Sequence, residues 1–328
     1  MVYAGKGKWS GLLLSLSLLL ICFGFTSAAT AFELELGLGS GYDDNPRQEK
    51  GSESALFTQT ELDLGWTLPL KFIPATTISL FGFAAYQCYS GLDDNWQLGG
   101  GLASATQISK IPGTLSFFSD AACYRNPLVS DNDYDTFSLG TNFTWFAGPQ
   151  LSIELETSLG WEDYCDSITS GKHPHKISRN SKLKTPTANL PEHHNSGDRN
   201  DRLFTTSLKS LYAFSPDFEG SGTILWRYRH SSIDAECRQA YGLNLDLDWR
   251  PIPAVAINWQ LGGERVPYKY KYHRESRREN IYNLGIMVSW YLHNFTLQSG
   301  WDWRKRDSIV NEDDYQRNQW QIRLKYSY

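Results

Sequence analysis

The chain of 328 residues carries 31 Lys and Arg against 36 Asp and Glu, a formal net charge of -5, and 14% of its residues are aromatic. That mildly acidic balance excludes a nucleic-acid binder held by bulk charge. Two methionines beside 12 Trp, 18 Tyr and 16 Phe are unusual for a soluble enzyme.

Lys6 and Lys8 precede the apolar run GLLLSLSLLLICFGF, and Ala29 and Ala31 form an A-x-A site before Phe32. This is the pattern of a cleaved secretory signal over 1–31. The run, roughly 15 residues, falls short of the about 20 that a spanning helix needs. Ile21 ahead of Cys22 is bulkier than a lipoprotein signal tolerates. The mature chain, 32–328, reads as one exported domain.

From Phe32 onward a period of two runs almost unbroken, the signature of strands with unlike faces. Phe32, Leu34, Leu36 and Leu38 alternate with Glu33 and Glu35, and Leu62, Leu64 and Trp66 with Glu61 and Asp63. Ile78, Leu80 and Tyr86 mark a third segment, Trp96, Leu98 and Leu102 a fourth, Leu115 and Phe117 a fifth, and Phe137, Leu139 and Phe143 a sixth. In LSIELETSLGWE, Leu151, Ile153, Leu155, Leu159 and Trp161 oppose Glu154, Glu156 and Glu162. Phe204, Leu208 and Tyr212 follow, then Ile224, Trp226 and Tyr228, and then YGLNLDLDW, with leucines set against Asp246 and Asp248. Val255, Ile257 and Trp259 lead to Tyr282, Leu284 and Ile286, and then to Phe295, Leu297, Trp301 and Trp303. The chain stops on QWQIRLKYSY, with Trp320, Ile322, Leu324, Tyr326 and Tyr328 on one face and Arg323 and Lys325 on the other. The count is about fourteen strands, within roughly 12–16.

Compact, proline-bearing connections such as SKIPG, FAGPQ and RPIPA alternate with long charged ones at 43–54, 89–95, 126–134, about 164–201, 230–239, 265–279 and 305–314. Strands that are greasy on one face and polar on the other, joined in this way, fit an all-β fold, a transmembrane antiparallel up-and-down β-barrel. In this the chain resembles bacterial outer-membrane proteins. The resemblance implies a Gram-negative outer membrane, with its lipid and lipopolysaccharide as surroundings. It also assigns Trp320, Ile322, Leu324, Tyr326 and Tyr328 to the closing signal read by the barrel assembly machinery, although Tyr328 stands where Phe is commoner. GSGYDDNP after the first strand is similar to the openings of β-barrel porins from exopolysaccharide gene clusters. It is similar too to the barrel of surface-lipoprotein assembly modifiers, whose preceding helical repeats this sequence lacks. That likeness implies an export role with a periplasmic partner.

Parity assigns charges to the lumen. Glu33, Glu35, Glu61, Asp63, Asp120, Glu154, Glu156 and Glu162 form an acidic wall over the first seven strands. Lys209, Arg227, Arg229, Arg250, Arg304, Arg323 and Lys325 face it, interspersed with Asp246, Asp248, Glu264 and Asp302. A wet pore so lined carries a transverse field that favours dipolar solutes. The expected function is a porin-like channel, water-filled but constricted, for small polar solutes. Export of an exopolysaccharide or surface lipoprotein is the first alternative.

The second alternative is an outer-leaflet lipid hydrolase. His230 and Ser232 in WRYRHSS resemble the His base and Ser nucleophile of outer-membrane phospholipases and lipid A deacylases; Ile233 departs from those families, which place Asn there. Clustered oxygens at Asp43 to Asn45, Asp93 to Asn95, Asp131 to Asp135 and Glu312 to Asp314 could weakly hold Ca2+ or Mg2+, or simply form turns. No other cofactor is expected, and His173, His175, His193 and His194 in the long loop read as solvated rather than as a metal site. Basic residues of the outer loops, Lys172 to Lys184 and Lys269 to Arg278, suit anionic polymers or lipopolysaccharide phosphates. Cys88, Cys123, Cys165 and Cys237 lie at strand tops or loops in an oxidising compartment and could pair as two disulfides of open connectivity.

Overall fold

A computed structural model describes residues 31–49, 51–70, 73, 75–108, 110–129, 133–164, 199–272, 275–309 and 314–328. The signal segment, most of the long loop with its histidines, and Cys165 lie outside the described residues. Almost every described residue belongs to one antiparallel sheet that closes on itself. Its strands are β1 (Ala31–Asp43), β2 (Ala55–Pro69), β3 (Thr76–Tyr89), β4 (Asn95–Ile108), β5 (Gly113–Arg125), β6 (Tyr134–Phe146) and β7 (Leu151–Tyr164). β8 (Asn200–Ser215), β9 (Phe218–Ser231), β10 (Arg238–Ile252), β11 (Val255–Tyr272), β12 (Glu275–Leu292), β13 (Phe295–Ser308) and β14 (Tyr315–Ser327) complete the ring.

Each strand pairs with its sequence neighbours, and β14 returns to β1. The registers set leucine beside leucine, as in Leu34 opposite Leu64, Leu155 opposite Leu208 and Leu245 opposite Leu261. All of these point away from the barrel axis. Leu38, Ile224 and Ile322 remain 62%, 62% and 58% exposed, and a belt of such residues encircles the molecule. Soluble monomers do not present a continuous apolar surface of that extent. Trp and Tyr border the belt at both ends: Tyr42, Trp96, Trp161 and Tyr241 near one, Trp66, Trp145, Trp249 and Trp290 near the other. This is how a barrel meets the two interfaces of a bilayer. Among the described residues no helix is long and apolar enough to cross a membrane; the strands do so.

Turns at one end are short. β12 and β13 are joined only by His293 and Asn294, and His293 sits at φ 56°, the left-handed conformation that tight hairpins need. Longer connections occupy the other end, which faces outward in barrels of this kind. The seam closes on reciprocal backbone bonds: Leu34 N donates to the Tyr328 carbonyl at 3.2 Å and Tyr328 N to the Leu34 carbonyl at 2.9 Å. Higher on the seam, a Cβ at Gly41 would stand 2.1 Å from the Trp320 carbonyl, so only glycine admits that approach.

Most buried side chains gather at the outer end. Leu128, from the connection after β5, packs with Ala55, Phe57 and Tyr89. Across the mouth, Ala240, Val266 and Tyr268 form a second apolar patch with Ile281 beside it.

One expectation requires correction here. The stretch 265–279, read as a loop, is mainly a hairpin that carries β11 and β12 above the membrane belt. A register shift between Pro267 and Lys271 absorbs the proline, whose missing N–H would otherwise interrupt the ladder. The cysteine pairing stays open, because Cys165 lies outside the described residues. Cys88 and Cys237 carry free thiols and no disulfide links Cys123 to either. Cys88 and Cys123 stand on β3 and β5 with β4 between them, about two strand spacings apart and beyond the reach of a disulfide. Cys237 is buried against Ser231.

Candidate functional site

The outer third of the lumen is a lattice of arginines and carboxylates. Asp43, fully buried at the top of β1, accepts from Arg317 Nε of β14 at 3.0 and 2.9 Å and from the Tyr89 hydroxyl of β3 at 3.2 Å. Its third donor is the backbone N–H of Asn45 at 3.0 Å. Asp44 accepts from Asn318 N and Nδ2 at 2.5 and 2.7 Å, and Asn45 Nδ2 donates to the carbonyls of Glu49 and Gln316. The GYDDN segment therefore works as a latch that ties the first loop to the last strand, with its oxygens engaged by protein donors. In the near copy, Tyr86 hydrogen-bonds Asp94, and that bond, followed by the Cys88 thiol, holds the Asp94 carboxyl below its usual range.

On the opposite side, Arg229 Nη2 lies 3.1 Å from Glu162 and Nη1 3.5 Å from Asp201, which Arg199 also engages at 2.7 Å. Glu279 of β12 takes Arg306 at 2.7 Å and Arg277 at 3.4 Å. Arg227 is 3.6 Å from Glu264, and Arg238 donates to the Tyr268 hydroxyl at 2.5 Å. Alternation explains the gathering: Arg227 and Arg229 are two apart on β9, as are Arg304 and Arg306 on β13, so each pair shares the inward face.

Between these groups lies a cavity of about 220 Å3, walled by Arg227, Arg229, Arg304 and Arg306 on one side and by Val129 and Tyr134 on the other. Arg304 also borders a lower cavity of about 190 Å3 with Asp302 and Gln319. Below this level the lumen is sparsely paired. Lys325 meets Glu35 at 2.6 Å and Arg323 meets Glu61 at 3.0 Å, binding the seam strands from inside. Glu154 accepts from Asn142 Nδ2 at 2.5 Å, Asp120 from Ser138, Asp246 from Ser221 and Asp248 from Asn258. Glu33, Asp63, Glu156, Lys209, Asp302 and Arg304 have no ion-pair or hydrogen-bond partner among the described residues. Arg250 lies at the short-turn end, opposite in position to the lattice.

Asp43, Arg238, Glu279, Arg306 and Arg317 belong to this site although alternation counted none of them. Four of them sit in stretches whose charge density reads as loop, and Arg317 lies just ahead of the residues read as the last strand. The readable signal was phase: Tyr315 and Arg317 keep the parity of Arg323. His230 and Ser232 are not joined by a hydrogen bond among the described residues. His230 Nδ1 has Cys237 Sγ at 3.8 Å, and Ser232 Oγ accepts from Asn200 N at 3.0 Å.

A closed sheet, apolar outside and charged within, defines a transmembrane β-barrel of the bacterial outer-membrane kind. No protein-family model matches the chain, and no curated protein matches it in sequence. Among solved structures it is similar to the trimeric outer-membrane protein OmpT of Vibrio cholerae, at 7% identity over 92% of this chain and 100% of that chain, with a TM-score of 0.49. It is similar at 10% identity to a bacterial polysaccharide outer membrane secretin, over 92% of this chain and 100% of that one, with a TM-score of 0.49. An anion-selective porin from Comamonas acidovorans is 9% identical over 92% and 99% of the two chains, with a TM-score of 0.46. These likenesses concern architecture and say nothing of solute or direction.

Proposed function

We propose that the protein is a constricted, porin-like channel of the Gram-negative outer membrane that passes small polar solutes. The observation that carries this reading is the set of lumen charges, Glu33, Asp63, Glu156 and Arg304, with no ion-pair or hydrogen-bond partner among the described residues. An ion left alone in a dry interior costs several kcal/mol, so water must surround these groups. Closed barrels of about eight strands are filled by side chains, whereas those of sixteen to eighteen leave an aqueous channel. This barrel falls between, and the lattice narrows its outer end while the acidic inner vestibule stays open.

Solutes crossing it meet an acidic wall on β1, β2 and β7 and basic groups on β9 and β13, a field across the path that favours dipolar molecules. Outside, exposed Lys269 and Arg278 on the raised hairpin face the phosphates of lipopolysaccharide, and the barrel assembly machinery inserts the chain through its final strand.

Changing Glu154 and Glu156 together to Gln tests the channel reading. Neither carboxylate has an ion pair among the described residues, so stability is expected to stay within about 0.5 kcal/mol. The reversal potential in a salt gradient is expected to move away from cations, because the vestibule loses its field. A large fall in unfolding temperature with no change in selectivity would place the two groups in a packed plug and reject the reading.

A further inference from the structure

The outer cavity holds more positive charge than its own carboxylates neutralise, and the surplus is at Arg304. Glu264 is taken by Arg227, Glu279 by Arg306 and Arg277, and Glu162 and Asp201 by Arg229. Arg304 keeps no acidic partner among the described residues, and the register sets it directly opposite Arg317. Arg229 likewise stands opposite Arg238. Like charges in direct cross-strand register are destabilising; Arg229 and Arg238 both line this cavity, whereas Arg317 borders the lower one and is held by Asp43. Arg229 lines the cavity with its guanidinium already shared between Glu162 and Asp201.

The same cavity has an apolar floor: Ala240, Val266 and Ile281 line it beside the guanidiniums. An inorganic ion would gain nothing from that surface. A planar carboxylate matches a guanidinium fork, and an organic skeleton behind it would cover the floor.

We propose that this cavity is a binding subsite for a small organic acid, with its carboxylate on Arg304 and its apolar flank on Ala240, Val266 and Ile281. The inference deepens the channel reading by naming the solute class held at the constriction. Arg304 is the discriminating residue because its removal breaks no ion pair, whereas Arg229 and Arg306 also hold the wall together.

Glucuronate added on the outer side of single channels in a planar bilayer is the probe, with inorganic phosphate as the comparison. Glucuronate is expected to interrupt the current in a saturable way, and Arg304→Gln to weaken that block at least about tenfold, the scale of one charge-assisted hydrogen bond. Arg304→Lys should retain part of it. Conducting channels that glucuronate does not block, or that Arg304→Gln leaves equally blocked, would overturn the subsite while sparing the channel. Equal block by phosphate would overturn the organic-acid assignment. If the parent does not conduct, the channel reading fails on its own. The subsite is then decided in detergent by whether glucuronate raises the unfolding temperature of the parent and not that of Arg304→Gln.

Discussion

Replacing Asp43 by Ala is expected to lower barrel stability by about 3–5 kcal/mol, because it strands a buried guanidinium. Arg317 has a side-chain exposure of 19% against 0% for Asp43, and both of its hydrogen bonds through Nε end on that carboxylate. Tyr89 loses its acceptor in the same step. The latch joins β1, β3 and β14, so damage there opens the seam from the outer end. The check is the temperature at which folded, fast-migrating protein converts to the slow unfolded band in a detergent gel. An unchanged temperature would show that the latch is idle. Combining Asp43→Ala with Arg317→Met should recover much of the loss, since replacing both members of a buried ion pair with apolar groups is often neutral or stabilising.

Deleting Tyr328, or changing both Tyr326 and Tyr328 to Ser, is expected to reduce assembled barrel to a small fraction of the normal yield. Deletion removes the two backbone bonds with Leu34 that close the seam at its lower end, and an unpaired strand edge in hydrocarbon has no other partner. The serine pair instead removes the Tyr326 ring, 5.2 Å from that of Phe295, and with it the apolar edge of the closing strand. Normal yield of heat-modifiable protein from either variant would place the assembly signal elsewhere in the chain.

Strand number and the side each residue faces were legible because lipid and water impose opposite demands on neighbouring residues. Glu154 and Leu155 could not exchange sides without placing a carboxylate in hydrocarbon. The outer end was not legible, because there the exterior no longer meets lipid and the alternation loses contrast. Glu279 and Arg306 sit in runs such as SRREN and RKRDS, which are polar on both faces and read as loop. Asp43 carries the composition of a turn, and only the closed register shows that Arg317, 274 positions later, is its partner. Cys237 is a different case: position at a strand top suggested pairing, and its burial against Ser231 followed from packing that spacing does not encode.

Passage through the lumen is tested most directly by recording single channels from the purified protein in a planar bilayer under a salt gradient. The account predicts discrete current steps, a selectivity that shifts away from cations when Glu154 and Glu156 become Gln, and interruption by organic acids at the outer mouth. Heat-modifiable, fully inserted barrels that give no current steps at any applied potential would contradict it.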